Sequence, residues 1–190
     1  MTDNTLTMAE KDILLRLARE ALERGVRGQE GSRPDMASLP PRLREQGASF
    51  VTLTVAGNLR GCIGALEPYQ PLVEDVCEHA IAAALQDYRF PPVQPGELSQ
   101  IEIEISRLTL PIPLDYTTPE DLLAKLRPHV DGVILRDGMR RATFLPQVWE
   151  KVPDPADFLD NLCYKMGASP NLWRQKPIEV LVYQVEEFHE

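Results

Sequence analysis

The sequence predicts an α+β protein with a largely antiparallel sheet packed against helices. Residues 101–105, Ile-Glu-Ile-Glu-Ile, alternate apolar and charged side chains, which is typical of a half-buried strand. Residues 8–25 instead repeat apolar side chains at helical spacing. Because strands and helices do not follow one another in a regular β-α-β-α order, hairpins and an antiparallel sheet are favoured over a parallel one.

The first predicted element is a helix that begins after Thr7 and ends near Gly25. Thr7 and Glu10 have the spacing of a capping box, in which two side chains bond to free main-chain N–H groups. Residues 28–41 contain Gly, Ser and Pro, so we expect a loop-rich segment there. The helix should bury one apolar stripe at i, i+3, i+4 and i+7 spacing, namely Leu14, Leu17, Ala18 and Ala21.

The rest of the chain is predicted to contain short strands and short helices. One hairpin should join residues 50–55 to residues 59–66, and a second should turn at Asp137-Gly138. Residues 178–185 should form a closing strand. Helices are predicted at residues 71–87, 119–126 and 156–166, with further strands at residues 101–105, 130–135 and 141–145.

Composition and charge argue against several classes of function. The chain has 190 residues and a net charge of −9, so a polyanion would be repelled and nucleic-acid binding is not expected. No apolar run approaches the roughly 18–20 residues of a membrane helix, and no secretion signal is visible. Three cysteines without metal-ligand spacing predict neither a disulfide framework nor a metal site. A cytoplasmic protein without a cofactor is the expectation.

The most unusual stretch is residues 58–64, because two glycines interrupt a strand and each needs a structural or functional reason. Alternation predicts Leu59, Gly61 and Ile63 on the core face and Arg60, Cys62 and Gly64 on the other. A three-residue loop at residues 56–58 would place Cys62 beside Thr52 and Thr54 rather than among aliphatic side chains.

This placement makes Cys62 a candidate nucleophile, since a guanidinium two residues away would favour the thiolate. Asn58, Gly61 and Gly64 would border a ligand, and Arg60 would bind an anionic group. Glu102 and Glu104, on the 101–105 strand, are candidate partners of Arg60 if that strand lies nearby, and the alternative is that the two carboxylates form a solvated face. The alternative is that Cys62 is an unreactive residue that fills space between the glycines.

The remaining cysteines and the histidines carry less information. Cys77 and Cys163 lie on apolar helical stripes and are predicted to pack in the core. His79 is expected near the polar side of its helix, and His129 and His189 are expected to be ordinary surface residues. None of the three is placed beside Cys62 by the sequence.

The segment Leu59-Arg60-Gly61-Cys62-Ile63-Gly64 resembles the hallmark of the AMMECR domain family, and most closely its prokaryotic form, AmmeMemoRadiSam system protein A. The resemblance extends over residues 8–187. It departs from many relatives at Tyr88, where they have proline. Other similar stretches occur in the expected order at residues 71–76, 89–93, 98–106, 131–135, 141–149 and 162–167.

The resemblance implies one AMMECR-type domain over residues 1–190, built from two subdomains interleaved along the chain. It also implies a MEMO-type protein and a radical S-adenosylmethionine protein as partners, although the family's activity is not established. The favoured function is an accessory or substrate-binding component of a modification system, which would hold a small molecule or peptide of unknown identity. A thiol-dependent enzyme using Cys62 and a non-catalytic interaction module are the alternatives.

Overall fold

The structure is a computed structural model that describes residues 5–29 and 34–190. The chain forms two compact units. The first ends at Thr109 and also takes in Glu186–Glu190, whereas the second is Leu110–Val185. Each contains a sheet and helices, and its strand ladders are antiparallel, which confirms the predicted α+β class. No helix in the described residues is long and apolar enough to cross a membrane.

Most predicted elements are present, with bounds that differ by a few residues. The last predicted strand, residues 178–185, is present as Glu179–Tyr183, whereas Val185 begins a further strand that belongs to the other sheet. The helices are α1 Met8–Val26, α2 Pro41–Arg44, α3 Leu72–Leu85, α4 Pro119–Lys125, α5 Pro155–Lys165 and α6 Leu172–Gln175. The strands are β1 Gln46–Val55, β2 Asn58–Gly64, β3 Gln70–Pro71, β4 Ile101–Leu108, β5 Ile112–Pro113, β6 Gly132–Asp137, β7 Arg140–Phe144, β8 Glu179–Tyr183 and β9 Val185–His189.

In the first unit, one face of the sheet packs against α1 and α3. The strand order is β2-β1-β4-β9, and β3 pairs with the start of β1. The predicted capping box is confirmed, since Thr7 Oγ1 accepts from the Glu10 N–H and Glu10 accepts from the Thr7 N–H. The shared core contains apolar side chains from the strands and both helices, among them Leu14, Leu22, Val51, Leu53, Val73, Val76, Ile103 and Ile105.

In the second unit, the strand order is β5-β8-β6-β7, and the helices contribute to a separate core. At its centre Trp149 stacks on Phe158, with 3.6 Å between the ring centroids. The indole N–H of Trp149 donates to the main-chain oxygen of Asp131, so its polar group is satisfied inside the core.

The hairpin between β1 and β2 differs from the prediction in an informative way. Its loop has two residues, Ala56 and Gly57, with φ values of 49° and 76°, so the predicted three-residue loop is wrong. Positive φ at both positions is typical of a type I′ turn, which matches the twist of a two-residue hairpin. A β-bulge then inserts Arg60, which has no partner on β1. Because this extra residue compensates for the shorter loop, Cys62 pairs with Thr52 as predicted.

The bulge also changes which side chains point inward. Leu59, predicted on the core face, lies opposite Thr54 and is 44% exposed. Gly61 lies opposite Leu53 and is buried. One inserted residue reverses the alternation between the turn and the bulge, so the simple period-2 pattern holds only for the second half of β2.

The two glycines of β2 allow neighbouring parts of the protein to approach the strand closely. A Cβ on Gly61 would lie 2.1 Å from the Ala83 main-chain oxygen of α3. A Cβ on Gly64 would lie 2.4 Å from the Phe50 ring and from the Ser49 main-chain oxygen. Both contacts are shorter than real Cβ contacts, so β2 approaches α3 and β1 this closely only with glycine at these positions.

We expect Gly61→Ala to lower the free energy of unfolding by about 3 kcal/mol or more, because helix α3 would have to move away from β2. Gly96→Ala is the matched control, since a Cβ there meets no atom of the described residues within 4 Å. Chemical denaturation of both variants measures the difference. Equal stability of the two variants would contradict the packing of α3 on β2.

Candidate functional site

The outer edge of β2 is bound by a short segment that follows α3. The Cys62 N–H donates to Asp87 Oδ2 at 2.8 Å, and Arg89 Nη2 donates to the Cys62 main-chain oxygen at 3.3 Å. An edge strand presents unpaired main-chain groups, and here two side chains occupy the place of a neighbouring strand. We refer to Asp87 and Arg89 together as the clamp.

The clamp is itself held together by several hydrogen bonds. Arg89 Nε donates to Asp87 Oδ1 at 2.9 Å, and Arg89 Nη2 donates to Oδ2 at 2.6 Å. The Arg89 main-chain N–H also donates to Oδ1, at 3.1 Å. The Arg89 side chain holds the pKa of Asp87 well below its usual range, against the effect of burial, and the Cys62 N–H lowers it further. Asp87 is 5% exposed, so the clamp presents a buried carboxylate to Cys62.

Arg60, at the bulge, makes different contacts from those predicted. Its Nε and Nη2 donate to the two carboxylate oxygens of Glu97 at 3.0 and 3.1 Å, and its Nη1 donates to the Pro91 main-chain oxygen at 3.0 Å. The partner of Arg60 is therefore Glu97, and neither Glu102 nor Glu104. Since all of these donors are engaged within the protein, a ligand would compete with Glu97 for the guanidinium.

Cys62 lies on the sheet face opposite the core, among polar side chains. The Thr52 hydroxyl donates to Cys62 Sγ at 3.3 Å, and Glu104 lies opposite Thr52 on the next strand. Thiol, hydroxyl and carboxylate thus form a row across three strands, with neighbouring strands roughly 5 Å apart. Glu102 is exposed on the same face, one pair of residues nearer to the hairpin loop.

The predicted site residues therefore divide into separate environments. Cys62 and Glu102 share the outer face of the sheet, whereas Arg60 binds Glu97 and Gly61 faces α3. Asn58 is exposed at the end of the hairpin, where its amide donates to the Ala56 main-chain oxygen at 3.3 Å. The structure does not bring these residues together as one constellation, and their roles in ligand binding stay proposals.

His79 is buried, so its predicted position near the polar side of α3 is wrong. It is 5% exposed, and its Nδ1 lies 3.2 Å from Asp75 Oδ2. The same oxygen accepts from Ser49 Oγ at 2.6 Å. This network connects α3 to β1, which explains why a polar helical stripe faces the protein interior.

In the described part of the chain, no group of three or more His, Cys, Asp or Glu side chains could hold a metal ion.

The clamp is the part of the site that sequence reasoning missed. From the sequence, Asp87 lies at the end of the predicted helix 71–87, and Arg89 is included only in the 89–93 stretch that resembles the family. A signal exists, since an acidic and a basic residue two positions apart follow a helix predicted to pack on the sheet. Only the path of the chain after α3 shows that this pair reaches Cys62.

These features define an α+β protein of two units whose first unit carries a glycine-rich edge strand clamped by an Asp-x-Arg segment. The AMMECR1 family model matches residues 15–188, and the chain belongs to this family.

Relatives match over nearly the whole chain. A protein of Methanothermobacter thermautotrophicus is 43% identical over 187 residues, which cover 97% of this chain and 96% of the relative. A protein of Thermofilum pendens is 39% identical, with 97% and 92% covered. The crystal structure of uncharacterized protein PH0010 from Pyrococcus horikoshii is similar with a TM-score of 0.78 and 35% identity, covering 97% of this chain and 93% of that one.

We expect Asp87→Asn to lower the free energy of unfolding at pH 7 by about 2–3 kcal/mol, because the buried carboxylate that accepts from Arg89 and from the Cys62 N–H loses its charge. The folded-state pKa of Asp87 is depressed, so its contribution is full above the unfolded-state pKa of about 3.9 and is lost as the pH falls through the folded-state pKa. The difference between wild type and variant should therefore shrink between pH 5 and pH 2, roughly. Urea unfolding over this range measures it.

A local readout separates the clamp from general destabilisation. Amide hydrogen exchange at Cys62 should accelerate in Asp87→Asn, because its acceptor is weakened. Asp131→Asn is the matched control, since Asp131 is also buried and also bonds to an arginine side chain and N–H, those of Arg127. Unchanged exchange at Cys62 in Asp87→Asn would contradict the clamp.

Proposed function

We propose that the chain is an accessory binding component of a modification system, acting with a MEMO-type protein and a radical S-adenosylmethionine protein. Its contact surface is the outer face of β2 around Cys62, together with Arg89. The observation that carries this proposal is the clamp, because it holds both main-chain polar groups of Cys62 while the thiol lies on a half-buried polar face.

A rigid, preformed strand favours binding, since little conformational freedom is lost when a partner docks. Cys62 is held on one side by β1 and on the other by the clamp. Arg89 donates to Asp87 through Nε and Nη2, but its side chain is 45% exposed, so Nη1 is the donor that it offers to an anionic group of a ligand. In this proposal Arg89 takes the role that the sequence suggested for Arg60.

The second candidate function is a thiol-dependent enzyme with Cys62 as nucleophile. The Thr52 hydroxyl supports it, because it donates to Cys62 Sγ and would orient the sulfur for attack. A thiol nucleophile commonly also has an adjacent base. Among the described residues, the hydrogen bond to Sγ comes from Thr52, and His79 is bound to Asp75 instead. Binding is therefore the better supported of the two functions.

The test of the binding proposal is a quantitative pull-down with the MEMO-type and radical S-adenosylmethionine proteins of the same organism. Arg89→Ala should weaken association at least tenfold, roughly, if the guanidinium contacts a charged group of the partner. Arg127→Ala is the matched control, because Arg127 is similarly exposed and also pairs with a buried aspartate. It should bind like wild type.

The outcomes separate the competing functions. Wild-type binding by a folded Arg89→Ala protein contradicts the proposed contact surface, and no association of the wild-type chain contradicts the partnership. Cys62→Ser distinguishes a folding role, since a lower melting temperature with full partner binding would support the non-catalytic interaction module instead.

The thiol alternative has its own measurement, the rate of iodoacetamide alkylation at Cys62 against pH. An activated thiol should react at pH 7 at least ten times faster than a free thiol, roughly, and Arg89→Ala should remove most of that excess. Cys77 serves as the internal control, because burial raises its thiol pKa to about 11. A Cys62 rate no greater than that of a free thiol would rule out this function.

A further inference from the structure

A second concave site lies between α1 and α3 in the first unit, and neither the hallmark segment nor the clamp contributes to it. Its volume is about 540 Å³, which is in the range of small-molecule sites. The second half of α1 and the first two-thirds of α3 form most of its walls, and Gln29, Pro34, Asp35 and Gln70 complete them. We call this cavity the α1–α3 groove.

The floor of the α1–α3 groove is apolar. Leu17 and Ala21 come from α1, and Cys77 and Ile81 come from α3. Cys77 Sγ lies 3.7 Å from the Leu17 main-chain oxygen. Burial, with smaller contributions from Glu20 and Glu74 and against Arg24, raises the pKa of the Cys77 thiol to about 11. The thiol is therefore neutral at physiological pH and belongs to the apolar floor.

The rim of the groove is acidic. Arg24 pairs with Glu20 at 3.2 Å, so these two charges largely compensate each other. Asp35, Glu74 and Glu78 remain. The two glutamates lie one turn apart on α3, and Glu78 accepts from Gln70 at 2.7 Å. Within residues 5–29 and 34–190, neither glutamate forms an ion pair with a basic side chain. The rim therefore carries uncompensated negative charge above an apolar floor.

We propose that the α1–α3 groove binds an amphipathic amine, with an ammonium group at Glu74 and Glu78 and an alkyl or aromatic body on the floor. Charge complementarity decides the class of ligand, because an anionic amphiphile of the same size would face two like charges. Apolar burial of the body supplies affinity, and the carboxylates supply selectivity. The groove is a binding site separate from the Cys62 surface.

The direct test compares octylammonium with octanoate and octanol, which share the apolar chain and differ in the head group. Calorimetric titration of the wild-type protein should show saturable binding of octylammonium, with octanol at least fivefold weaker, roughly, and octanoate weaker still. Equal affinity for octanoate, or no saturable binding of octylammonium, overturns the proposal.

Cys77 supplies a second readout within the same sample. Octylammonium should slow alkylation of Cys77 by a neutral maleimide in proportion to occupancy, as measured by peptide mass mapping. Cys62 is the internal control, because it lies on β2 and does not line the groove. Protection of neither cysteine, or equal protection of both, would contradict binding in this groove.

Two variants test the two halves of the site. Glu74→Gln with Glu78→Gln should weaken octylammonium binding about five- to tenfold and leave octanol binding unchanged. The exposed pair Glu120→Gln with Glu150→Gln is the matched control for net charge. Ala21→Phe should abolish binding of both compounds by filling the groove. Wild-type affinity in the Glu74 and Glu78 variant overturns the proposal even if Ala21→Phe does not fold.

Discussion

The unpaired edge of β2 is the constraint on which the candidate site depends. A strand that carries two glycines and ends a sheet leaves its outer N–H and C=O groups without partners, and such an edge invites pairing with another chain. Here Asp87 accepts from the Cys62 N–H and Arg89 donates to its carbonyl. Two side chains therefore bond to the main-chain groups of Cys62 at this edge, where another sheet would have a further strand.

The β-bulge decides which side chains share a surface. Because Arg60 is the inserted residue, its guanidinium is paired with Glu97, and Cys62 remains opposite Thr52. The two most chemically active side chains of the hallmark segment thus have different functions in the fold. Arg60 ties β2 to the segment that precedes β4, whereas the Cys62 thiol stays on the outer face of the sheet.

The hallmark segment of the family is in large part explained by packing. Gly61 allows α3 to approach the strand, and Gly64 allows the Phe50 ring to lie against it. The thiol of Cys62 is the feature of this segment that packing does not explain. Together with the exposed part of Arg89 it supports the proposed binding surface. The α1–α3 groove draws on other residues, so the first unit presents two chemically different surfaces. One is polar with a cation beside it, and the other is apolar with an acidic rim.

The sequence by itself determined the elements, the α+β class and the family, because local patterns such as the Thr7–Glu10 capping box and the alternation at residues 101–105 depend on near neighbours. It also indicated the correct partner for Cys62, although through a loop of the wrong length. Only the tertiary structure decided that Arg60 pairs with Glu97, that His79 is buried against Asp75, and that Asp87 and Arg89 reach Cys62. The contacts of Arg60 and Cys62 join residues 37 and 25 positions apart through the hairpin bulge and the course of the chain after α3, and neither leaves a periodic signal in the sequence. The burial of His79 depends on the packing of α3 against β1, where Ser49 bonds to the same carboxylate.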